Sequence, residues 1–300
     1  MNDFRYLCPK TCDEFWEMLD SHPGALILAG GTDLVVQLRR GMHRGAPLID
    51  PSRLLRHSGG DAGNPDGDFG PFSEIRQDGR HLAIGAFTTF SEILAHPTVK
   101  ERFPVFWEAC RWIGSRQIRN MATLGGNLAN ASPAGDSMPP LLLYGAAVVI
   151  RGRRSRRETP LEGFYQGYKQ TALGPGDLIE AVRLPLGFAA TGSYYRKAGP
   201  RKALAISRTA VCGAVVRADG EAGARARLAA GGVAAFPVRL KSVENLLDGG
   251  RAPGLDELRE ALEKDISPIT DIRGDAAYKF RVTLNFVREF LERAGIGPVS

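Results

Sequence analysis

The sequence predicts a globular protein that mixes helices with strands and is divided into about two domains. The chain has 300 residues, of which 43% are hydrophobic and 24% charged, so it can bury sizeable cores. Residues 1–176 alternate short apolar segments with capped helices. Residues 177–300 begin with strand-like segments and end with helices, so we place the second domain there.

The first unit is predicted to run helix, strand, glycine turn, helix. Thr11 and Glu14 have the spacing of a capping box before a helix. The apolar run at 25–29 predicts a strand buried on both faces. It leads directly into Gly-Gly-Thr-Asp at 30–33, where the Thr or the Asp caps a helix over 34–40 that a glycine ends.

The rest of the first domain is predicted in the same way. Strands are expected at 48–50 and 81–85, a capped helix after Thr89, a core helix at 105–112 and an apolar helix opened by two prolines at 139–140. Residues 56–73 are rich in Gly, Asp, Asn and Pro, which predicts a surface excursion. In the second domain, strands are expected at 178–184, 193–197, 209–217 and 224–230, followed by helices at 243–247, 255–263 and 275–293.

Composition excludes several classes of function. No apolar run reaches the ~18 residues of a membrane span, and the N-terminus has no signal-peptide pattern, so we expect a cytoplasmic protein. The cysteines and histidines lack metal-ligand spacing, so we predict no protein-bound metal. The net charge is +6, with its densest basic run at 151–157. We favour a solvated hairpin tip for that run over docking to an acidic subunit, and expect no nucleic acid.

Two segments with little side-chain bulk suggest the function. One is 30–33, and the other is 123–136, which contains a second glycine pair and several small polar residues. Paired glycines let backbone N–H groups approach a ligand and form a concave anion site. Two such segments could hold the pyrophosphate of a dinucleotide, although each could also be an ordinary turn. Neither GxGxxG after a strand nor GxxxxGK[ST] occurs, which disfavours the Rossmann fold and the P-loop.

The residues at 29–34, 117–128 and 131–136 carry a family resemblance, supported by later motifs at 195–198, 231–233 and 271–274. In these motifs the chain resembles the FAD-binding medium subunit of the xanthine dehydrogenase family of molybdenum hydroxylases, which includes carbon monoxide dehydrogenase and 4-hydroxybenzoyl-CoA reductase. The resemblance implies an α+β fold. Its FAD-binding domain, at 1–176, would be of the vanillyl-alcohol oxidase (PCMH) type with subdomains of about 1–55 and 56–176. A C-terminal domain with a three-stranded antiparallel sheet and helices would occupy 177–300.

The resemblance also implies which residues bind FAD. The diphosphate and ribityl chain would contact the glycine segments, Asp136 and Ile113 would lie near the flavin, Ile179 near the adenine, and Arg196 or Lys197 near the flavin ring. The implied set is Ile27, Leu28, Ala29, Gly30, Gly31, Thr32, Asp33, Leu34, Ile113, Thr123, Leu124, Gly125, Gly126, Asn127, Asn130, Asp136, Ile179, Arg196 and Lys197. From the residues alone, Asp33 is expected to cap its helix or bind a ribose hydroxyl. No residue suggests a covalent flavin link, and no catalytic side chain stands out.

By this resemblance the chain is an FAD-carrying electron-transfer subunit. It would receive electrons from [2Fe–2S] clusters in a small subunit and pass them to NAD, oxygen, a quinone or ferredoxin. The molybdenum cofactor would be held by a large subunit, in a heterotrimer or a dimer of heterotrimers. Two alternatives stay open, which are a self-contained flavin oxidoreductase of the same fold and a docking subunit without cofactor.

Overall fold

The computed structural model describes residues 4–56, 69–201, 206–217, 225–248 and 252–296. Within these ranges the strands form sheets of three, five, four and two strands. The three larger sheets follow one another along the chain, and each has helices packed against it. None of the helices in the described ranges combines the length and the apolar character needed to cross a membrane.

The first unit is a small parallel sheet with three helices. Its elements are β1 (Tyr6–Leu7), α1 (Cys12–Ser21), β2 (Leu26–Ile27), α2 (Leu34–Arg39), β3 (Leu48–Ile49) and α3 (Ser52–Arg56). The strand order is β1-β3-β2, with both pairings parallel. Strand β3 is central and buried, whereas β2 is a half-buried edge strand. The predicted burial of residues 25–29 on both faces is therefore wrong, because the later strand β3 takes the central position.

Helix α1 begins at the predicted cap, with one difference in its hydrogen bonds. The Thr11 hydroxyl accepts a bond from the Glu14 N–H at 3.1 Å. The Glu14 carboxylate accepts from the N–H of Lys10, at 2.7 Å, rather than from that of Thr11. The reciprocal bond of the capping box is thus shifted by one residue toward the N-terminus.

The middle unit is built on the five-stranded sheet and contains a separate two-stranded hairpin. Its strands are β4 (Ile75–Asp78), β5 (His81–Gly85), β6 (Ala147–Gly152), β7 (Ser155–Pro160), β8 (Tyr165–Gly167), β9 (Gln170–Thr171) and β10 (Leu178–Pro185). Its helices are α4 (Gly70–Ser73), α5 (Phe90–Ala95), α6 (Pro97–Arg102), α7 (Pro104–Arg111), α8 (Arg116–Arg119), α9 (Leu124–Ala129), α10 (Met138–Leu143) and α11 (Leu161–Phe164). The antiparallel sheet has the order β4-β5-β10-β6-β7.

Part of the predicted surface excursion is buried. Residues 57–68 lie outside the described residues, but α4 follows them. Phe69 and Phe72 are 0% and 1% exposed and stack with ring centroids 4.8 Å apart. These rings pack with Phe15 of α1 in one core cluster, so they connect the first and middle units. The surface prediction is wrong for this end of the segment, because two aromatic rings outweigh its polar composition.

The C-terminal unit is an antiparallel sheet covered by helices. Its elements are β11 (Ala189–Ala198), β12 (Thr209–Arg217), β13 (Arg225–Gly231), β14 (Val238–Arg239), α12 (Lys241–Leu247), α13 (Leu255–Asp265) and α14 (Ala276–Arg293). The strand order is β11-β12-β13-β14. Three long strands correspond to the expected three-stranded sheet, and the two-residue β14 adds a fourth. Leu284, Val287 and Leu291 of α14 are buried in this unit's core, as their spacing predicts.

We propose that the two domains divide after Pro185, later than the expected boundary at residue 177. Strand β10 pairs with β5 on one side and β6 on the other, so it is the central strand of the middle sheet. The next strand, β11, pairs with β12 and belongs to the C-terminal sheet. Assigning β10 to the second domain would divide one hydrogen-bonded sheet.

The basic run at 151–157 forms a hairpin between β6 and β7 whose arginines make ion pairs within the chain. Arg156 donates from Nε and Nη2 to Glu180 Oε1 at 3.1 and 2.9 Å, and that carboxylate is 2% exposed. Arg157 donates to Asp177, and Arg153 donates to Asp20 of α1. The prediction of an exposed hairpin is confirmed, because residues 153–157 are exposed. In addition, Arg153, Arg156 and Arg157 pair with carboxylates that are distant in sequence.

We expect Arg156→Ala to lower the free energy of unfolding by about 1–2 kcal/mol. The substitution removes charge-assisted hydrogen bonds from a buried carboxylate, although the 49% exposure of Arg156 limits the loss. Arg154→Ala is the matched control, because Arg154 lies at the tip of the same hairpin and pairs with no carboxylate in the described residues. Urea unfolding measures the free energy of unfolding of both variants. Equal decreases would contradict a stabilising role for the Arg156–Glu180 ion pair.

Candidate functional site

The two glycine segments meet at one cleft of about 420 Å³, although 89 residues, 34–122, lie between them in sequence. This volume lies within the ~300–1,000 Å³ typical of small-molecule sites. The cleft is lined by Leu26, Ile27, Ala29, Gly30, Gly31, Thr32, Asp33, Leu34, Gln37, Met42, His43, Ala122, Thr123, Gly126, Asn127, Ala129, Asn130 and Lys169. Half of these residues belong to the two segments, 30–33 and 123–136, that the sequence predicted would act together.

The first glycine pair brings the segments into direct contact. A Cβ at Gly30 would lie 1.8 Å from the carbonyl oxygen of Met121, so only glycine permits this approach. Gly31 has φ +66°, a left-handed conformation that turns the chain from β2 toward α2. The pair therefore closes one wall of the cleft and reverses the chain direction.

The backbone of the first segment presents hydrogen-bond donors that have no acceptor among the described residues. The N–H groups of residues 30–33 donate to no acceptor within the described part of the chain. The first helical bond of this segment is donated by Val35, to the carbonyl of Gly31 at 3.0 Å. Successive free N–H groups along a cleft suit an anionic ligand, because they provide positive partial charge without a counter-ion.

The backbone N–H groups of residues 124–127, which include the second glycine pair, are already used within the protein. Gly125 donates to the carbonyl of Ala86 at 2.7 Å, and Gly126 donates to the Thr123 hydroxyl at 3.2 Å. A Cβ at Gly125 would lie 2.5 Å from that of Ala86, so this glycine serves packing rather than the cleft. The predicted second backbone nest is therefore wrong. Residues 124–129 form helix α9 instead, with Thr123 as its N-cap.

A chain of side-chain hydrogen bonds joins the two walls of the cleft. Gln37 Nε2 donates to the Asp33 carboxylate and, at 3.4 Å, to Asn130 Oδ1 of the opposite wall. The other atom of the same amide group, Gln37 Oε1, lies 2.8 Å from His43 Nε2. Asp33 occupies the N-cap position of α2 but makes no capping bond with its side chain. The expected cap at Asp33 is thus replaced by a bond to Gln37, one helical turn further on.

Several residues of the implied FAD set lie outside this cleft. Leu124 and Gly125 are buried, and Leu28 and Ile113 are half-buried. Ile179 is 3% exposed, and its side chain packs in the main core of β10 and its neighbours. An adenine contact at Ile179 would therefore involve its backbone. Leu124 and Gly125 are part of the second glycine segment, whereas Ile113 and Ile179 lie outside both segments.

Asp136 lies at the centre of a second polar cluster, formed between the middle and C-terminal units. Its carboxylate accepts from Tyr195 Oη at 3.0 Å, Lys197 Nζ at 2.8 Å and Ser207 Oγ at 2.5 Å. The side chains of Lys197 and Asp136 are 8% and 10% exposed. Burial and the neighbouring carboxylate raise the pKa of the Tyr195 hydroxyl well above its usual range, so it stays a donor.

Arg196 and Lys197 point to opposite faces of β11, as neighbours on a strand must. Lys197 also donates to the carbonyl of Trp112, at 3.0 Å, in the segment that precedes the implied flavin neighbour Ile113. Arg196 instead pairs with Glu289 of α14 and is 53% exposed. Of the two candidates for a cation near the flavin ring, the structure places Lys197 beside Asp136 and separates Arg196 from it.

The sequence analysis missed several residues of the cleft, among them Gln37, Met42, His43 and Lys169. Gln37 could have been found, because it lies four residues after Asp33 on the same helix face. No local pattern pointed to Lys169, which reaches the cleft from the hairpin between β8 and β9.

An α+β fold that is not a Rossmann fold thus carries a glycine-walled cleft with backbone donors, an arrangement that suits the phosphates of a nucleotide cofactor. Residues 2–63 and 67–187 match the family described as the FAD binding domain in molybdopterin dehydrogenase. Residues 193–294 match the CO dehydrogenase flavoprotein C-terminal domain. The chain belongs to this family, the FAD-binding medium subunits of the molybdopterin hydroxylases.

Individual relatives agree along nearly the whole chain. It is 31% identical over 299 residues to the carbon monoxide dehydrogenase medium chain of Afipia carboxidovorans, covering 97% of this chain and 96% of that protein. It is 30% identical over 266 residues to the nicotinate dehydrogenase FAD-subunit of Eubacterium barkeri, covering 87% and 84%. The structure is similar to a carbon monoxide dehydrogenase from Hydrogenophaga pseudoflava, with a TM-score of 0.81, 26% identity and 97% of both chains covered. The family resemblance of the sequence motifs is confirmed.

We expect Lys197→Ala to lower the free energy of unfolding by about 3 kcal/mol, because it leaves the buried Asp136 carboxylate without its cation. Arg196→Ala is the matched control on the adjacent residue of the same strand. Arg196→Ala breaks the largely exposed ion pair with Glu289, so it should lower the free energy of unfolding by less than about 1 kcal/mol. Chemical unfolding of both variants checks the difference, and an equal or larger effect of Arg196→Ala would contradict it.

Proposed function

We propose that this chain holds FAD non-covalently in the cleft and acts as the electron-transfer subunit of a molybdenum hydroxylase. One observation carries the proposal: two glycine segments far apart in sequence form one cleft, where a row of backbone N–H groups has no protein acceptor in the described residues. When bound, FAD supplies the redox chemistry, which is acceptance of single electrons and their release as a pair.

The residues of the cleft supply binding and orientation. The N–H groups of residues 30–33 would donate to the diphosphate, which is the group whose charge best matches them. Gly126 leaves space on the opposite wall, because it places no side chain there. Asn127 and Asn130 offer amide groups to ribose or ribityl hydroxyls from the same wall.

We assign the flavin half of the cofactor to the side of Asp136, Lys197 and Ile113, following the family resemblance. The buried ammonium of Lys197 would stabilise negative charge on the reduced flavin. Asp136 fixes the position of that ammonium through the 2.8 Å ion pair. The adenine half would extend toward β10 and Ile179. In this arrangement the diphosphate, which joins the flavin half to the adenine half, would lie at the glycine segments.

We propose that the iron–sulfur clusters and the molybdenum cofactor belong to partner subunits. Within the described residues, no group of three His, Cys, Asp or Glu side chains is arranged to hold a metal ion. The relatives include a medium chain of a multi-subunit carbon monoxide dehydrogenase. The proposed assembly is a heterotrimer or a dimer of heterotrimers in the cytoplasm, with a [2Fe–2S] small subunit as electron donor. The final acceptor would be NAD, oxygen, a quinone or ferredoxin.

The first experiment is co-purification with native partners, followed by a visible spectrum and metal analysis. We expect a flavin spectrum from this chain, and iron and molybdenum only with the partners. Turnover of an organic substrate by the isolated chain would instead favour a self-contained flavin oxidoreductase. Absence of flavin from the intact complex would favour a docking subunit without cofactor.

We expect Gly31→Ala to reduce FAD affinity at least about tenfold. An alanine at φ +66° costs about 1–2 kcal/mol, and relief of that strain would move the N–H groups that line the cleft. Gly24→Ala is the matched control, because Gly24 has φ +83°, open space around it and no place in the cleft. Titration of each apo-protein variant with FAD measures its affinity for the cofactor. Equal losses would show that the effect is general strain rather than a property of the site.

We expect Lys197→Met to lower the midpoint potential of the bound flavin. Removing the ammonium destabilises the negatively charged reduced form relative to the oxidised form. Spectroelectrochemical titration checks the shift on folded, flavin-loaded protein. Arg196→Met is the control, since that side chain pairs with Glu289 on the other face of the strand. An unchanged potential in Lys197→Met would remove Lys197 from this role.

A further inference from the structure

Strained backbone conformations are concentrated at the cleft. Within the described residues, three that are not glycine have positive φ: His43 at 56°, Ala131 at 48° and Lys169 at 53°. His43 and Lys169 line the cleft, and Ala131 directly follows the cleft residue Asn130. The left-handed conformation costs a non-glycine residue about 1–2 kcal/mol. Strain of this kind is often retained at ligand clamps, where it positions a functional group.

The hairpin that carries Lys169 is fixed to the second glycine segment. Lys169 lies in the turn between β8 and β9. The hydroxyl of Tyr165, in β8, donates to the carbonyl of Leu128 in α9 at 3.3 Å. Tyr165 is 5% exposed, and its ring stacks on Phe236 with centroids 6.2 Å apart. The turn therefore has a set position relative to α9, even though Lys169 itself is exposed.

The ammonium of Lys169 forms no ion pair with any residue that the structure describes. Among the described residues that line the cleft, it is the one lysine or arginine. No carboxylate of the described residues lies within ion-pair distance of its ammonium. Lysines 197 and 279, by contrast, each pair with an aspartate at 2.8 Å. Lys169 therefore offers the cleft a positive charge that can bind a negatively charged ligand.

We propose that Lys169 is the counter-ion of the cofactor diphosphate and binds it from the side opposite the free N–H groups of residues 30–33. This inference rests on the proposed function, because it names a binding residue for the same site. The N–H groups supply only partial charges, and the Asp33 carboxylate also lines the cleft. A full positive charge would offset that carboxylate and favour a diphosphate ester over an uncharged ligand.

The test measures FAD affinity of apo-protein at about 20 mM and about 500 mM NaCl, since salt screens exposed charges. The variants are Lys169→Gly and Lys169→Met, with Lys10→Met as the matched control. Lys10 is an exposed lysine that does not line the cleft. Lys169→Gly should fold at least as well as the parent chain, because glycine removes the strain at φ 53°.

We expect both Lys169 variants to bind FAD roughly tenfold more weakly than the parent chain at low salt, with a smaller difference at high salt. Lys10→Met should bind like the parent chain. Affinity unchanged in both Lys169 variants, or a loss of the same size at both salt concentrations, would overturn the proposal. Failure of the parent chain to bind FAD at all would instead reject the proposed function.

Discussion

The contact between Gly30 and the carbonyl oxygen of Met121 is the constraint on which the cleft depends. A single methyl group at Gly30 would lie 1.8 Å from that oxygen, so the two walls could not approach. Gly31 then turns the chain away, with φ +66°, and leaves a row of N–H groups along the cleft. The glycines of the second wall act differently, because Gly125 packs on Ala86 and Gly126 keeps side-chain volume out of the cleft.

Some charges of the protein have acidic partners within the chain, whereas the positive groups that line the cleft have none among the described residues. The basic hairpin at 151–157 and the buried Lys197 have acidic partners, so their main physical effect is to hold elements together. The cleft differs from these regions. Within the described residues, the N–H groups of residues 30–33 have no acceptor and Lys169 has no carboxylate partner. This contrast explains why a net charge of +6 says little about function until the partners are known.

The cleft and the Asp136 cluster lie at the two junctions between the three units of the chain. The cleft lies between the small parallel sheet and the middle unit, whereas the Asp136 cluster joins the middle unit to the C-terminal sheet. A long cofactor that extends from one to the other would be held by all three units. Its binding would then stabilise their relative positions, because each unit contributes contacts that the others lack.

The sequence by itself determined the family, the main helices and strands, and the two glycine segments. These features follow from local patterns, such as the cap at Thr89, the spacing on α14 and the order of the motifs. Only the tertiary structure decided that β2 is an edge strand, that Glu180 neutralises Arg156, and that the N–H groups of Gly125 and Gly126 are used internally. It also brought Gln37 to Asn130 and Lys169 to the cleft. The physical reason is that burial, pairing and hydrogen-bond satisfaction depend on neighbours far away in sequence, whereas caps, turns and periodicity depend on neighbours within a few residues.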